Sequence, residues 1–66
     1  MEKGEWRVFC NCVGGEKLYI VGRQKDKNKP LHSGNVEYAM INYSPDKRAC
    51  EHLADQLNRT GFDGLG

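Results

Sequence analysis

The chain has 66 residues, a formal net charge of +1 and charged side chains at 29% of positions. That length allows one small domain, which buries only about 60% of the surface its unfolded chain exposes, and no stretch nears the roughly 18 apolar residues of a membrane span. Three cysteines, two of them a single residue apart, argue against a secreted disulfide scaffold and for the cytosol.

In chain order, Met1 to Glu5 lacks the apolar region of a signal peptide. Trp6 to Val13 then alternates in the manner of a strand, with Trp6, Val8, Cys10 and Cys12 on one face and Arg7, Phe9, Asn11 and Val13 on the other. Gly14-Gly15 supplies the two positive-φ residues of a tight hairpin turn. Lys17 to Arg23 forms the returning strand, with Leu18 and Ile20 on one face, Tyr19, Val21 and Arg23 on the other, and Gly22 marking a bulge. Gln24 to Gly34 is too polar for a strand interior, so a long loop or irregular edge is expected, with a short fourth strand possible within Lys25 to Leu31. Alternation resumes from Asn35 to Tyr43 as the third strand.

Ser44 as N-cap, Pro45 at the first helical position and Asp46 at the positive end of the dipole predict a helix beginning at Pro45. Ala49, Cys50, Leu53, Ala54 and Leu57 recur at spacings of three and four and form the stripe that packs on the sheet. Gly61 ends the helix, and residues 62–66 are expected to be a loose tail. The predicted fold is α+β, a small antiparallel sheet of three or four strands followed by one C-terminal helix. It forms a single domain over 1–66, with its ordered core at about 5–60. Two open sheet edges and a face only partly covered by one helix call for self-association, as a homodimer or higher oligomer.

Charge is unevenly spread. Lys17 to Lys29 holds five cations and one acid, whereas Asp46 to Asp63 holds three cations and four acids. A basic segment beside strand-borne Tyr19, Tyr38 and Tyr43 is how many single-strand nucleic-acid binders join phosphate attraction to base stacking; a solvated loop and a packed sheet account for the same residues. The contact residues singled out are Arg23, Lys25, Lys27, Lys29, His32, Asn35 and Tyr19.

Other chemistries have weaker support. Cys10 and Cys12 share a face that Cys50 should cover, but a Cys-x-Cys pair with one further cysteine is a poor zinc signature, and core filling explains it better. No metal or cofactor is therefore assigned. His32-Ser33-Gly34-Asn35 with Glu37 gathers an imidazole, a hydroxyl, an amide and a carboxylate within six positions. Its undemanding role is to shape the entry to the third strand, with ligand contact second, and no catalytic residue is assigned. Asp26, Glu37 and Asp46 do not make the clustered carboxylates of a metal-dependent nuclease.

Trp6-Arg7-Val8, Leu18-Tyr19-Ile20-Val21-x-Arg23, His32-Ser33-Gly34-Asn35-x-Glu37-Tyr38 and Leu53-Ala54-x-x-Leu57-Asn58 together resemble a family of small proteins from Firmicutes genomes, phages and mobile elements. The resemblance spans roughly residues 5–59, and the His-Ser-Gly-Asn-x-Glu core is its most specific part. At least one similar protein is a type II anti-CRISPR with a PC4-like fold. The resemblance thus implies an oligomeric sheet-plus-helix protein, acting in the host bacterial cytoplasm on nucleic acid or on a CRISPR-type nuclease. Cys10-Asn11-Cys12 and the lysine-rich loop depart from the family pattern. The expectation is a non-enzymatic binding module, with a small DNA-nicking enzyme or a protein-only interaction module as alternatives.

Overall fold

A computed structural model describes residues 2–61, so the expected tail at 62–66 lies outside the described residues. Strands β1 (Arg7–Val13), β2 (Glu16–Gln24) and β3 (Val36–Tyr38) form one antiparallel sheet in the order β1-β2-β3, and helix α1 (Lys47–Thr60) follows. The α+β arrangement is the one read from the sequence. Gly14 and Gly15, at φ of 60° and 85°, form the hairpin turn, and from Val13 opposite Glu16 the pairing runs unbroken to Arg7 opposite Gly22.

That continuity rules out the bulge expected at Gly22. The glycine serves close packing instead: a Cβ there would stand 2.8 Å from the Tyr38 ring, 3.0 Å from the Glu37 carbonyl oxygen and 3.1 Å from the Phe9 ring. Two aromatic rings from the flanking strands close over the gap it leaves.

The helix covers one sheet face. Trp6, Val21, Cys50 and Ala54 are the buried centre, with Val8, Tyr19, Ala39, Met40, Leu53 and Leu57 packed around them. Arg23 lies in this layer at 7% exposure, its guanidinium 4.3 Å from the centre of the Trp6 ring and 3.6 Å from Glu37, its cross-strand neighbour. Asn58 ties the helix end to the sheet. Its Oδ1 accepts from the Trp6 N–H at 2.7 Å and its Nδ2 donates to the Trp6 carbonyl at 3.0 Å, the two bonds that a neighbouring strand would make.

The third strand is shorter than the expected Asn35 to Tyr43. After Tyr38 the Ala39 N–H still donates to Val21 O, but the chain then leaves the sheet and returns only at Ser44, which exchanges both backbone bonds with Tyr19. The Val21 N–H opposite this excursion donates to the Met40 sulfur at 3.4 Å, so the broken ladder leaves no buried donor unpaired there. Ile41, at the outside of the excursion, is 86% exposed.

No fourth strand occupies Lys25 to Leu31. Asp26 makes a turn there, its Oδ1 accepting from the Asn28 N–H and its carbonyl from the Lys29 N–H. The helix begins two residues later than expected: Asp46 is the N-cap, accepting from the Ala49 N–H at 3.1 Å, while Ser44 Oγ accepts from the Asp46 N–H. A carboxylate placed three residues before an orphan helical N–H outcompetes the hydroxyl, because it joins the hydrogen bond to the favourable interaction with the dipole. Gly61, at φ of 72°, closes the helix by donating to Leu57 O. Among the described residues, no helix is long and apolar enough to cross a membrane.

Candidate nucleic-acid interface

The basic segment is organised by one side chain. Asn35 is 5% exposed, and its Oδ1 accepts from the Asp26 N–H while its Nδ2 donates to the carbonyls of Asp26, Lys29 and Pro30 at 3.0 to 3.3 Å. The Asn35 carbonyl also accepts from the Lys25 N–H. The amide therefore closes the loop from 25 to 35 around itself and has no face left for a ligand. His32 caps the short 3-10 turn Ser33–Asn35, its Nδ1 accepting from the Gly34 N–H at 3.0 Å, while the rest of its exposed ring borders the groove described below.

The other expected contact residues divide. Arg23 is turned into the core between Trp6 and Glu37, and Tyr19 is half-buried against the same core. Arg23 is closed off from phosphate, and Tyr19 keeps only part of its surface exposed. Lys25, Lys27 and Lys29 are exposed on the loop. Lys27 pairs with Glu2; that hydrogen bond, then the opposite charge, raises the Lys27 ammonium above its ordinary pKa and lowers the Glu2 carboxyl below its own. Its charge is thereby partly cancelled at the surface. Lys25 and Lys29 make no ion pair among the described residues.

Among the described residues, no helix packs on the other sheet face. Phe9, Asn11, Ile20, Val36 and Tyr38 project there from the three strands, since each is in register with a same-face neighbour or lies two positions from one. Leu31, His32 and Ser33 from the loop and Tyr43 from the excursion rise around them to form an open groove of about 310 Å³. Its floor is apolar, Ile20 being 5% exposed, and its walls are aromatic, Tyr38 and Tyr43 being 40% and 43% exposed. The Tyr43 hydroxyl accepts from the Asn11 amide at 3.4 Å, which holds the ring over β1.

Beyond Phe9, Arg7 lies on the same face about 7 Å along the strand. It borders a second, polar recess with Lys3, Lys27, Gln24 and Glu5. Phe9 lines the aromatic groove and Arg7 the polar recess, so the two lie one after the other along β1. Tyr38 and Tyr43 are two of the three tyrosines the sequence offered for stacking, whereas Phe9 and Arg7 were not singled out from it. The signal was the alternation itself, which places Phe9, Ile20 and Tyr38 on one face while a single helical stripe can cover only the other.

The remaining chemistry does not assemble. Glu37 lies on the helix side, paired to Arg23 and, at 3.2 Å, to Lys3, so it does not converge with His32. Cys10 and Cys12 are exposed whereas Cys50 is buried, and among the described residues no three His, Cys, Asp or Glu side chains gather as a metal site. Together these features define a small α+β domain with one helix-covered and one open, aromatic sheet face. Compared with models of protein families, with curated proteins and with solved structures, the chain matches none.

Proposed function

We propose that this chain is a non-enzymatic module that binds single-stranded nucleic acid across the open face of its sheet. The observation that carries the reading is the groove lined by Phe9, Tyr38 and Tyr43, with Arg7 two positions along β1 from Phe9 on the same sheet face. Bases stack on exposed rings with little regard to sequence, each contact contributing about 1–3 kcal/mol, while nearby cations draw in the phosphates. Arg7, Lys25 and Lys29 supply that attraction, and Lys27 adds less because Glu2 already answers its charge.

The resemblance to small phage and mobile-element proteins supports a setting for this activity. There the partner is nucleic acid handled by a bacterial defence nuclease, and the chain acts as an inhibitor in the host cytoplasm. The nicking alternative draws no support from the site: His32 and Asn35 are engaged in shaping the loop, and Glu37 belongs to an ion-pair cluster on the other face.

Fluorescence anisotropy with a labelled oligothymidylate, titrated over a range of salt, tests the proposal. Binding should weaken steeply as salt rises, and Lys25→Ala with Lys29→Ala should flatten the slope by about two, or roughly one per lost phosphate contact. Lys27→Ala alone should change it least of the three. Absence of binding at low salt, or binding indifferent to salt, would remove the reading.

A further inference from the structure

β1 is the long free edge of the sheet. The two-residue turn makes Val13 and Glu16 a hydrogen-bonded pair, so alternation turns the backbone groups of Arg7, Phe9, Asn11 and Val13 toward β2. Those of Trp6, Val8, Cys10 and Cys12 point outward. Asn58 confirms this sense, because it reaches the Trp6 N–H and carbonyl from outside the sheet. Past Trp6, the outward groups of Val8, Cys10 and Cys12 meet no partner among the described residues. The edge has no proline, lysine or bulge to discourage pairing. The opposite edge differs: β3 is three residues long and is cut off by the excursion after Ala39.

We infer that a second copy of this chain pairs on this edge, β1 to β1, antiparallel about a two-fold axis at Cys10. In that register Cys10 faces Cys10 and Val8 faces Cys12 in both directions, which uses every free outward group in roughly six interchain hydrogen bonds. Moving the axis to Val8 drives the partner onto Trp6, whose groups Asn58 already holds. Moving it to Cys12 sets Cys10 against the partner's turn. With the axis at Cys10, Trp6 and Asn58 face only Gly14 of the partner copy, which has no side chain to collide with them.

The pairing is isologous, with the axis perpendicular to the sheet. Both helices therefore lie on one side and both aromatic grooves on the other. The partner's Asn11 stands beside Phe9 and extends the groove wall, so the open faces merge across the axis.

Sedimentation of the reduced chain at about 100 µM, within reach of a small interface, should give twice the 7.5 kDa chain mass. Cys10→Pro removes an outward donor but no β2 ladder bond, so it should give a monomer with unchanged circular dichroism. Cross-linking reads the interface without that substitution. In Cys12→Ser, oxidised glutathione should join two Cys10 sulfurs, taking up their two electrons and two protons as two reduced glutathione molecules. Directly opposed residues lie about 5.5 Å apart at Cα, within disulfide reach. In Cys10→Ser, Cys12 faces Val8 and should form no interchain disulfide. A mass of 7.5 kDa at that concentration, a folded Cys10→Pro dimer, or Cys12 cross-linking as readily as Cys10 would overturn the inference. The experiment contains no nucleic acid, so its outcome is independent of the function proposed above.

Discussion

Asn35 shows how one residue can set the shape of a polar, lysine-rich loop. Its amide makes four hydrogen bonds to backbone groups spread from Asp26 to Pro30, and truncating it leaves a buried N–H and several carbonyls without their partner. Asn35→Ala should lower unfolding free energy by about 2–3 kcal/mol, a few unsatisfied groups at roughly 1 kcal/mol each with water partly repairing the loss. Denaturant titration measures it. Asn35→Asp, which keeps the acceptor but sets a buried carboxylate oxygen against the three carbonyls, should cost more than Asn35→Ala.

Gly22 and Cys50 make two further residue-scale cases. Gly22→Ala puts a methyl against the Tyr38 ring and the Glu37 carbonyl, and overpacking of this kind costs about 1–3 kcal/mol. Tyr38→Ala in the same chain should recover part of that loss but not all, because the backbone oxygen at 3.0 Å stays. Burial pushes the Cys50 thiol above its ordinary value, outweighing the hydrogen bond from Ser44 that acts the other way. The unfolded thiol ionises near pH 8.5, so stability is complete below that pH and falls as pH rises through the raised native value, by at most about 1.4 kcal/mol per pH unit. Cys50→Ala should flatten this alkaline limb, read as unfolding free energy at pH 8 and above. An unchanged slope would mean that another group titrates there.

At the scale of elements, β1, β2 and their turn were legible because both strands alternate and two glycines stand between them. The later boundaries were not. Val36 to Ile41 alternates as well as β1 does, yet the strand stops at Tyr38 because the Met40 sulfur, rather than a backbone carbonyl, takes the Val21 N–H. A sulfur acting as acceptor leaves no trace in a hydrophobic pattern. Ser44 and Asp46 both suit an N-cap, and only the geometry decides for Asp46; accordingly Asp46→Ala should cost about 1 kcal/mol and Ser44→Ala less. Arg23 misled for a related reason. A cation in a basic run reads as surface, but Trp6 and Glu37 flank it across the sheet, and such pairing appears only once the register is known.

For the whole molecule, the governing fact is that one helix cannot cover both faces of a three-stranded sheet. The covered face holds the core and draws in Arg23 and Tyr19, two residues that sequence alone assigned to the partner. The open face collects Phe9, Tyr38 and Tyr43 beside Arg7 and the basic loop, which is the basis for the proposed function. The most direct test is a titration of isotope-labelled protein with oligothymidylate, followed by backbone and aromatic NMR shifts. Perturbations should concentrate at Phe9, Ile20, Val36, Tyr38 and Tyr43 and spare Leu53, Ala54 and Leu57 on the helix side, and Tyr38→Ala should weaken binding by about tenfold. Shifts confined to the helix, or a Tyr38→Ala chain that binds as tightly as the parent, would contradict the assignment of the open sheet face.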